Sequence, residues 1–281
     1  MITEIEELIH KVGKIGFQEK SMVNDIYDWR SIVYADGKFV AISRSNTIAY
    51  STNGLEWTEI ELSFDRTYNW TSITYGNGTF VAVAWISNIA IYSTDGINWI
   101  ETPIPFSMWN SVTYGNNKFI AIGDKYSGSA NSYEFDGAYS EDGITWTGFN
   151  MPRQSDWKSI TYGNNMFVAV AEKSKYAAYS TDGINWSQST LPTSCYYEQV
   201  TYGNEKFIAI GFNENDYKTI IVYSNDGITW TQSPIILKDI LWRSMTYGNK
   251  KFIAIGDYTR YINGISNTFS TIIYSNDGIT W

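Results

Sequence analysis

One repeated segment constrains the fold of this chain more than any other feature of its 281 residues. Residues 70–83 read WTSITYGNGTFVAV, and a second block, YSTDGINW at residues 92–99, follows them. The first block recurs, in two cases weakly, from Trp29, Trp109, Trp157, Tyr197 and Trp242. Self-similarity at a period of roughly 45 residues is typical of propellers and other repeat architectures. The chain is therefore expected to fold as six equivalent units.

Each unit contains four stretches that have the character of β-strands. Strand A is Ser-Ile-Thr-Tyr, strand B is Phe-Val-Ala-Val, strand C ends in Tyr-Ser, and strand D begins at the tryptophan of the second block. These stretches are rich in β-branched and aromatic residues and are bounded by Gly, Asn and Asp. Strand B is apolar on both faces, as a strand packed between two neighbouring sheets must be. The sequence therefore predicts an all-β fold, a six-bladed β-propeller of four-stranded antiparallel blades.

The spacing between the strands distinguishes two faces. Ten residues separate the strand-A aromatic from the strand-B Phe in every unit, and seven separate the strand-C Tyr from the strand-D Trp. From the strand-B Phe to the strand-C Tyr the spacing varies between 11 and 22 residues. In an up-and-down blade the A–B and C–D turns share one face, and the B–C and D–A loops share the other. Because variable loops on a rigid scaffold commonly bind ligands, we predict binding at the B–C and D–A face.

The candidate ligand-binding residues come from the B–C loops. The longest of these loops are predicted in the third, fifth and sixth units, at residues 123–139, 211–223 and 256–274. Rigid aromatic side chains make contact at low entropic cost. The candidates are Trp85, Tyr126, Tyr133, Phe135, Tyr217, Tyr258, Arg260 and Tyr261. The alternative is that these loops cap the channel and pack on one another.

The composition of the chain excludes several classes of binding partner. A net charge of −9 argues against nucleic acid and against an anionic membrane surface, since both require a basic patch. The single cysteine, Cys195, excludes an intrachain disulfide and a cysteine-based metal cluster. The single histidine, His10, cannot form a metal site alone. No cofactor and no metal are predicted, and the partner is expected to be a glycan or a protein.

The N-terminal segment is predicted to differ from the repeats. Residues 1–16 carry apolar side chains at helical spacing and are expected to form a short amphipathic helix, while residues 17–281 form the propeller domain. The helix either packs on the rim of the propeller or docks onto a partner or a second copy. The segment begins with acidic residues and lacks the long apolar stretch of a secretory signal. No run of about 18 apolar residues, the length needed to span a membrane, occurs in the sequence. We therefore expect a cytoplasmic protein as synthesised, with association to a virion or another assembly left open.

Residues 17–20 are predicted to complete the sixth unit. The chain ends at Trp281, where strand D of that unit should begin. Phe17 lies 12 residues before Trp29, as Trp230 lies 12 residues before Trp242. An N-terminal strand at residues 17–20 would therefore pair with strand C near Tyr274 and remove an open sheet edge.

The second block resembles the Asp-box, or BNR-type, repeat of sialidase-like propellers. The likeness covers six copies, although the box at residues 93–99 is one residue shorter than the usual Ser-x-Asp-x-Gly-x-Thr-Trp. The box positions are Asn53, Asp95, Asp142, Asp182, Asp226 and Asp277. The resemblance implies a structural role, in which the side-chain oxygens accept hydrogen bonds from the backbone of the turn. The amino-acid sequence of the repeats is also similar to that of repeats in phage tail-associated and bacterial surface proteins.

The chemistry of sialidases does not follow from this resemblance. Sialidases bind the carboxylate of their substrate with three arginines and use a tyrosine nucleophile assisted by Glu and Asp. This chain has only six arginines in all and lacks the Arg-Ile-Pro motif. Arg30 and Arg243 directly follow the strand-A Trp and read as a repeat position. Acids of the long loops, such as Asp124 with Asp136, are expected to be solvated. We therefore predict that the chain is not an enzyme.

Three functions stay open at this point. The first is a non-catalytic module that binds a glycan or a cell-surface or virion protein through the B–C and D–A face. The second is a structural or assembly protein that docks a larger complex, such as a phage tail. The third is a glycoside hydrolase, which would need paired carboxylates in a cleft.

Overall fold

The computed structural model describes residues 28–124, 135–235, 237–262 and 265–281. These residues form 21 β-strands and no α-helix, and every strand pair is antiparallel, so the prediction of an all-β fold is confirmed. The predicted helix at residues 1–16 and the closing strand at residues 17–20 lie outside the described residues. None of the described residues belongs to a helix long and apolar enough to cross a bilayer.

The strands follow the repeats in chain order. The first repeat contains β1 (Trp29–Ala35), β2 (Lys38–Ser43), β3 (Thr47–Ser51) and β4 (Thr58–Glu61). The second contains β5 (Asn69–Gly76), β6 (Thr79–Trp85), β7 (Ser87–Ser93) and the first half of β8 (Ile100–Gly115). The third contains the second half of β8, followed by β9 (Lys118–Asp124), β10 (Gly137–Ser140) and β11 (Thr147–Phe149).

The second half of the chain repeats this order. The fourth repeat contains β12 (Trp157–Gly163), β13 (Met166–Ala171), β14 (Ser174–Ser180) and the first half of β15 (Ser187–Gly203). The fifth contains the second half of β15, β16 (Lys206–Phe212), β17 (Thr219–Ser224) and β18 (Thr231–Gln232). The described part of the sixth contains β19 (Leu241–Gly248), β20 (Lys251–Ile262) and β21 (Ile265–Ser275). Strands β8 and β15 each serve as strand D of one repeat and strand A of the next.

The sixth repeat differs from its prediction. Residues 256–274 were expected to be a long loop, but β20 and β21 pair through most of this segment, from Gly256↔Thr271 to Ile262↔Ile265. Arg260 and Tyr261 therefore lie in a long β-hairpin and not in a loop. The backbone hydrogen bonds of the hairpin satisfy polar groups that a loop would leave to solvent.

Neighbouring repeats pack through their strands A and B. The glycine that ends strand A lies against the strand-A tyrosine of the next repeat, as Gly76 lies against Tyr114. The same contact joins Gly115 with Tyr162, Gly163 with Tyr202, and Gly203 with Tyr247. Strand B is buried on both faces, as predicted: Val81, Ala82 and Val83 are fully buried. Each buried Val side chain contributes about 1.5–3 kcal/mol.

Hydrogen bonds between turns define two faces. On one face the A–B hairpins meet the Asp-box turns of the following repeat: Lys38 Nζ donates to the Asp95 carbonyl at 2.7 Å. On the other face the B–C turn meets the D–A segment: Asn46 Nδ2 donates to the Arg66 carbonyl at 2.8 Å. We call these the hairpin face and the loop face.

Candidate functional site

The box residues hold their own turns. Asp95 Oδ1 accepts the backbone N–H groups of Ile97 and Asn98, each at 2.8 Å, and Ser93 Oγ accepts that of Gly96 at 2.8 Å. The hydrogen bond from the Asn98 backbone is the largest of the effects that hold the pKa of Asp95 below its usual range. The corresponding bonds occur at Asn53, Asp142, Asp182, Asp226 and Asp277. These oxygens are engaged within the turns on the hairpin face.

Variable side chains gather on the loop face, where the start of strand A meets the end of strand B. There Met108 pairs with Asp124 and Leu241 pairs with Asp257. We call three positions of each repeat the rim: the residue before the strand-A aromatic, the residue after it, and the residue five after the strand-B Phe. In repeat order these are Asp28, Arg30 and Arg44; Asn69, Thr71 and Trp85; Met108, Asn110 and Asp124; Asp156, Lys158 and Glu172; Tyr196, Glu198 and Phe212; Leu241, Arg243 and Asp257.

An ion-pair network links the rim of repeats four and five. Lys158 Nζ lies 3.1 Å from Glu172 Oε2 and 3.3 Å from Glu198 Oε2. Burial lowers the pKa of Lys158, but the two glutamates outweigh burial and raise it. The side chains of Lys158, Glu172 and Glu198 are 31%, 22% and 22% exposed, so solvent still reaches the network.

Asp124 adds a carboxyl group to the same side of the rim. Asn110 Nδ2 donates to Asp124 Oδ1 at 3.0 Å. Burial, followed by the negative charges of Asp156 and Glu172, raises the pKa of Asp124 to about 7. Asp124 therefore exchanges a proton near neutral pH, unlike an ordinary aspartate.

The expectation that Asp124 and Asp136 are solvated acids was wrong. Asp136 is 1% exposed, and its Oδ1 accepts the backbone N–H of Met151 at 2.6 Å. Its carboxyl group fixes the segment that leads from the third repeat to the fourth. The two carboxyl groups differ in role: Asp136 holds backbone, and Asp124 belongs to the rim.

Aromatic side chains stack beside the acids of the rim. Tyr196 stacks on Phe212 at 5.1 Å between ring centroids, and Phe212 stacks on Tyr217 at 6.3 Å, with interplanar angles of 11° and 9°. Tyr217 is 51% exposed and ends this aromatic stack on the solvent side. Lys173 Nζ lies 5.2 Å from the centroid of the Tyr196 ring. Such flat, parallel surfaces suit ligands that bind by stacking.

The opposite charge dominates the rim of repeats six and one. Arg243 Nε lies 2.9 Å from Asp257 Oδ2. Arg30 and Arg44 both pair with Asp28. The rim positions of these two repeats together hold three arginines and two aspartates, a formal charge of +1. The side made by repeats three to five carries four carboxyl groups and Lys158.

The sequence-predicted ligand residues whose side chains the structure describes lie in the second, third, fifth and sixth repeats. Trp85 and Tyr217 are exposed on the loop face, at 39% and 51%. Phe135 lies against Gly148, and Tyr258 stacks on Phe269 at 5.5 Å between centroids. Arg260 and Tyr261 lie on β20, while Tyr126 and Tyr133 lie outside the described residues.

The rim itself was missed, although the sequence carries a signal for it. The rest of strands A and B is nearly invariant from repeat to repeat, whereas the rim positions hold acids, bases, amides and aromatics.

Two further expectations concern metals and thiols. Within the described ranges no group of three His, Cys, Asp or Glu residues could hold a metal ion, and Cys195 is 4% exposed with the pKa of its thiol raised by burial.

The comparisons with known proteins identify the fold. No protein-family model matches the sequence, and no curated protein matches it. Virginiamycin B lyase from Staphylococcus aureus is similar in structure at 16% identity and a TM-score of 0.70, over 90% of this chain and 87% of that chain. A streptogramin B lyase gives 14% identity and a TM-score of 0.71, over 84% of this chain and 79% of that chain. YCF48 bound to the D1 peptide gives 13% identity and a TM-score of 0.60, over 93% and 84%.

These similarities correct one prediction. We predicted that the chain is not an enzyme, because it lacks the residues of sialidases. That prediction is wrong, because the solved structures that share the fold include lyases, one of them a catalytically inactive variant with quinupristin. Sequence identities of 16% or less show a shared fold but not a shared activity. Any function therefore has to be argued from the residues of the rim. The chain has a β-propeller fold.

Proposed function

We propose that the protein is a binding module that recognises a protein partner at the rim. The observation that carries this proposal is the contrast between the invariant framework of strands A and B and the individual side chains of the rim. Repeated positions maintain packing, whereas positions that differ on the same framework are free to match a ligand. The structural neighbours give indirect support, since YCF48 was solved with a peptide and nidogen with laminin.

The charges of repeats three to five indicate which group the partner presents. Four carboxyl groups and one lysine leave this side with a formal charge of −3 when all are ionised. The raised pKa of Asp124 reflects burial together with the repulsion of Asp156 and Glu172. A lysine or arginine of the partner would relieve that repulsion and favour the ionised carboxylate. The aromatic stack of repeat five, whose Tyr196 interacts with Glu172, offers ring faces that attract the same cation.

The rim can be tested with immobilised peptides of matched length, either basic or acidic. We expect the basic peptides to bind, and Asp124→Asn to weaken that binding about tenfold, which corresponds to about 1.4 kcal/mol. The substitution keeps the acceptor for Asn110 and should leave the melting temperature nearly unchanged. Fluorescence polarisation at two salt concentrations would measure the affinity and its electrostatic share.

Glu205→Gln provides the matched control, because Glu205 is exposed on the hairpin face at the turn after β15. Equal losses from both substitutions would contradict a site at the rim. So would binding of acidic and basic peptides alike. A glycan array run in parallel tests the other ligand class; neutral sugars that bind through Trp85 and Tyr217 would favour a glycan.

Catalysis is a second candidate, favoured by the pKa of Asp124. A carboxyl group with a pKa of about 7 can donate or accept a proton at neutral pH, as general acid–base catalysis requires. If a screen of lyase and hydrolase substrates gives turnover, its pH profile should show an apparent pKa near 7. Asp124→Asn should abolish both the turnover and that pH dependence. Turnover that persists in Asp124→Asn would exclude this role.

The same proposal includes the arrangement of the repeats. We take the six repeats to be the blades of one propeller, with residues 17–20 as the fourth strand of the sixth blade. In that arrangement the third repeat stands opposite the sixth, and the second stands opposite the fifth. Trp85 and Phe212, the two aromatics at one rim position, would then face each other across the mouth of the channel.

A further inference from the structure

A stack of three aromatic rings ends in an open ring face beside the rim of repeat five. Tyr196 stacks on Phe212, and Phe212 stacks on Tyr217, with angles of 11° and 9° between successive rings. Tyr196 and Phe212 are half-buried, whereas Tyr217 is 51% exposed. Because one face of the Tyr217 ring is turned towards Phe212, its exposed surface includes the opposite, outer face. The stack therefore presents a flat ring face with a negative quadrupole to a ligand.

The backbone holds Tyr217 in a conformation that costs free energy. Its φ is 50°, in the left-handed region that glycine and asparagine adopt readily and a bulky aromatic residue rarely adopts. Hydrogen bonds fix this turn: Tyr217 N–H donates to the Asn213 carbonyl, and Asp239 N–H donates to the Tyr217 carbonyl, each at 2.9 Å. The turn would accept asparagine at position 217 with less strain, which indicates a use for the ring outside the turn.

Carboxyl groups lie beside the hydroxyl end of the stack. Partial burial, followed by a hydrogen bond with Glu214 and the negative charges of Glu214 and Glu172, raises the pKa of Tyr196. Tyr217 contributes to the same shift, so the two hydroxyl groups and the two acids lie near one another. Within the part of the chain that the structure describes, Glu214 forms no ion pair. Its negative charge is therefore available to a cationic ligand.

The chain already places cations over tyrosine rings of the neighbouring repeats. Lys173 Nζ lies over Tyr196, the ring at one end of the stack, 5.2 Å from its centroid. In repeat four the guanidinium carbon of Arg153 lies 4.1 Å from the centroid of the Tyr176 ring. No cation of the described residues lies over Tyr217, the ring at the other end of the stack. Its outer face is therefore open to a cation from a partner.

We propose that the outer face of Tyr217 binds an arginine side chain of the protein partner in preference to a lysine. The planar guanidinium continues the parallel stack, and its N–H groups donate to the Glu214 carboxylate. Lysine fits this position less well, because its compact ammonium group is strongly hydrated and cannot lie flat on a ring. The inference rests on the proposed function, since it specifies which basic side chain of the partner the aromatic stack prefers.

A pair of fluorescein-labelled peptides tests the inference. Both consist of glycine and serine, and one carries arginines at the positions where the other carries lysines, so length and charge are equal. Fluorescence polarisation should show about three- to fivefold tighter binding of the arginine peptide to the unchanged protein. Tyr217→Asn suits the left-handed backbone and removes the ring, so the ratio of the two affinities should fall to about one. The melting temperature of this variant should not decrease.

Glu205→Asn is the matched control for the backbone. Glu205 has a φ of 59° and is exposed on the hairpin face, so the same asparagine relieves a similar conformation away from the stack. This control should leave the ratio of the two affinities unchanged. Tyr217→Leu keeps an apolar side chain without a ring and should lose the preference for arginine, whereas Tyr217→Phe keeps the ring and should retain the preference.

Equal affinities of the two peptides for the unchanged protein would overturn the inference, as would a preference for arginine that persists in Tyr217→Asn and Tyr217→Leu. Asp124→Asn separates this inference from the proposed function, because it should weaken both peptides and keep their ratio. Peptides that depend on Asp124 without preferring arginine would refute the stacking and sustain the proposed function.

Two other outcomes also count against the inference. If neither peptide binds, the stacking and the proposed function both fail. If neutral glycans bind to the unchanged protein but not to Tyr217→Asn, the ring serves a sugar and the preference for arginine is wrong.

Discussion

Replacement of Trp157 by alanine is expected to lower the free energy of unfolding by about 3–5 kcal/mol. The indole of Trp157 is fully buried between the third and fourth repeats, beside Ile160 and Phe167. Its Nε1–H donates to the Arg153 carbonyl at 3.2 Å, and this acceptor would lose its partner. Urea denaturation followed by circular dichroism measures the loss.

Trp85→Ala is the matched comparison, because Trp85 is the tryptophan outside the two repeat positions. Its side chain is 39% exposed on the loop face, so truncation should change the free energy of unfolding by less than about 0.5 kcal/mol. The loss should fall instead on ligand binding. A destabilisation as large as that of Trp157→Ala would show that Trp85 serves packing.

The strands could be predicted because each pattern occurs six times. A tyrosine–glycine turn or a Phe-Val-Ala-Val segment is ambiguous once, but its recurrence at constant spacing leaves few folds that place every copy equivalently. The box turns could also be predicted, because their hydrogen bonds are local. Seven consecutive residues contain both the donors and the acceptors.

The hairpin of β20 and β21 was not predicted, because irregular spacing between strands also indicates a loop. Its sequence contains Asn263-Gly264 between two segments rich in Tyr, Thr and Ile, and Asn-Gly is a strong signal for a hairpin turn. Alignment with the other repeats reveals the inserted length but not its pairing. The local turn chemistry would have given the better prediction.

The rim was less accessible to sequence reasoning because its properties arise between repeats. Asp124 lies 32 residues before Asp156 and 48 before Glu172, yet both shift its pKa. Lys158 pairs with one glutamate of its own repeat and one of the next. A repeat alignment identifies which positions vary. Only the packing of neighbouring repeats shows that these positions share one surface.

Gly163→Ala is expected to destabilise the protein by about 3 kcal/mol, because the added methyl group overlaps the ring of Tyr202 in the next repeat. Gly163 adopts no positive φ, so the cost comes from this overlap and not from backbone strain. Thermal and urea unfolding of the single variant measure the loss.

A double-mutant cycle isolates the contact between Gly163 and Tyr202. Tyr202→Ala removes the ring and should itself be destabilising, because the ring also packs on Phe207 at 4.8 Å between centroids. In the Tyr202→Ala background the methyl group of Gly163→Ala meets open space, so the second substitution should cost little. We therefore expect a coupling energy of about 2 kcal/mol. Losses that add within about 0.5 kcal/mol would mean that the glycine is not required by the neighbouring repeat.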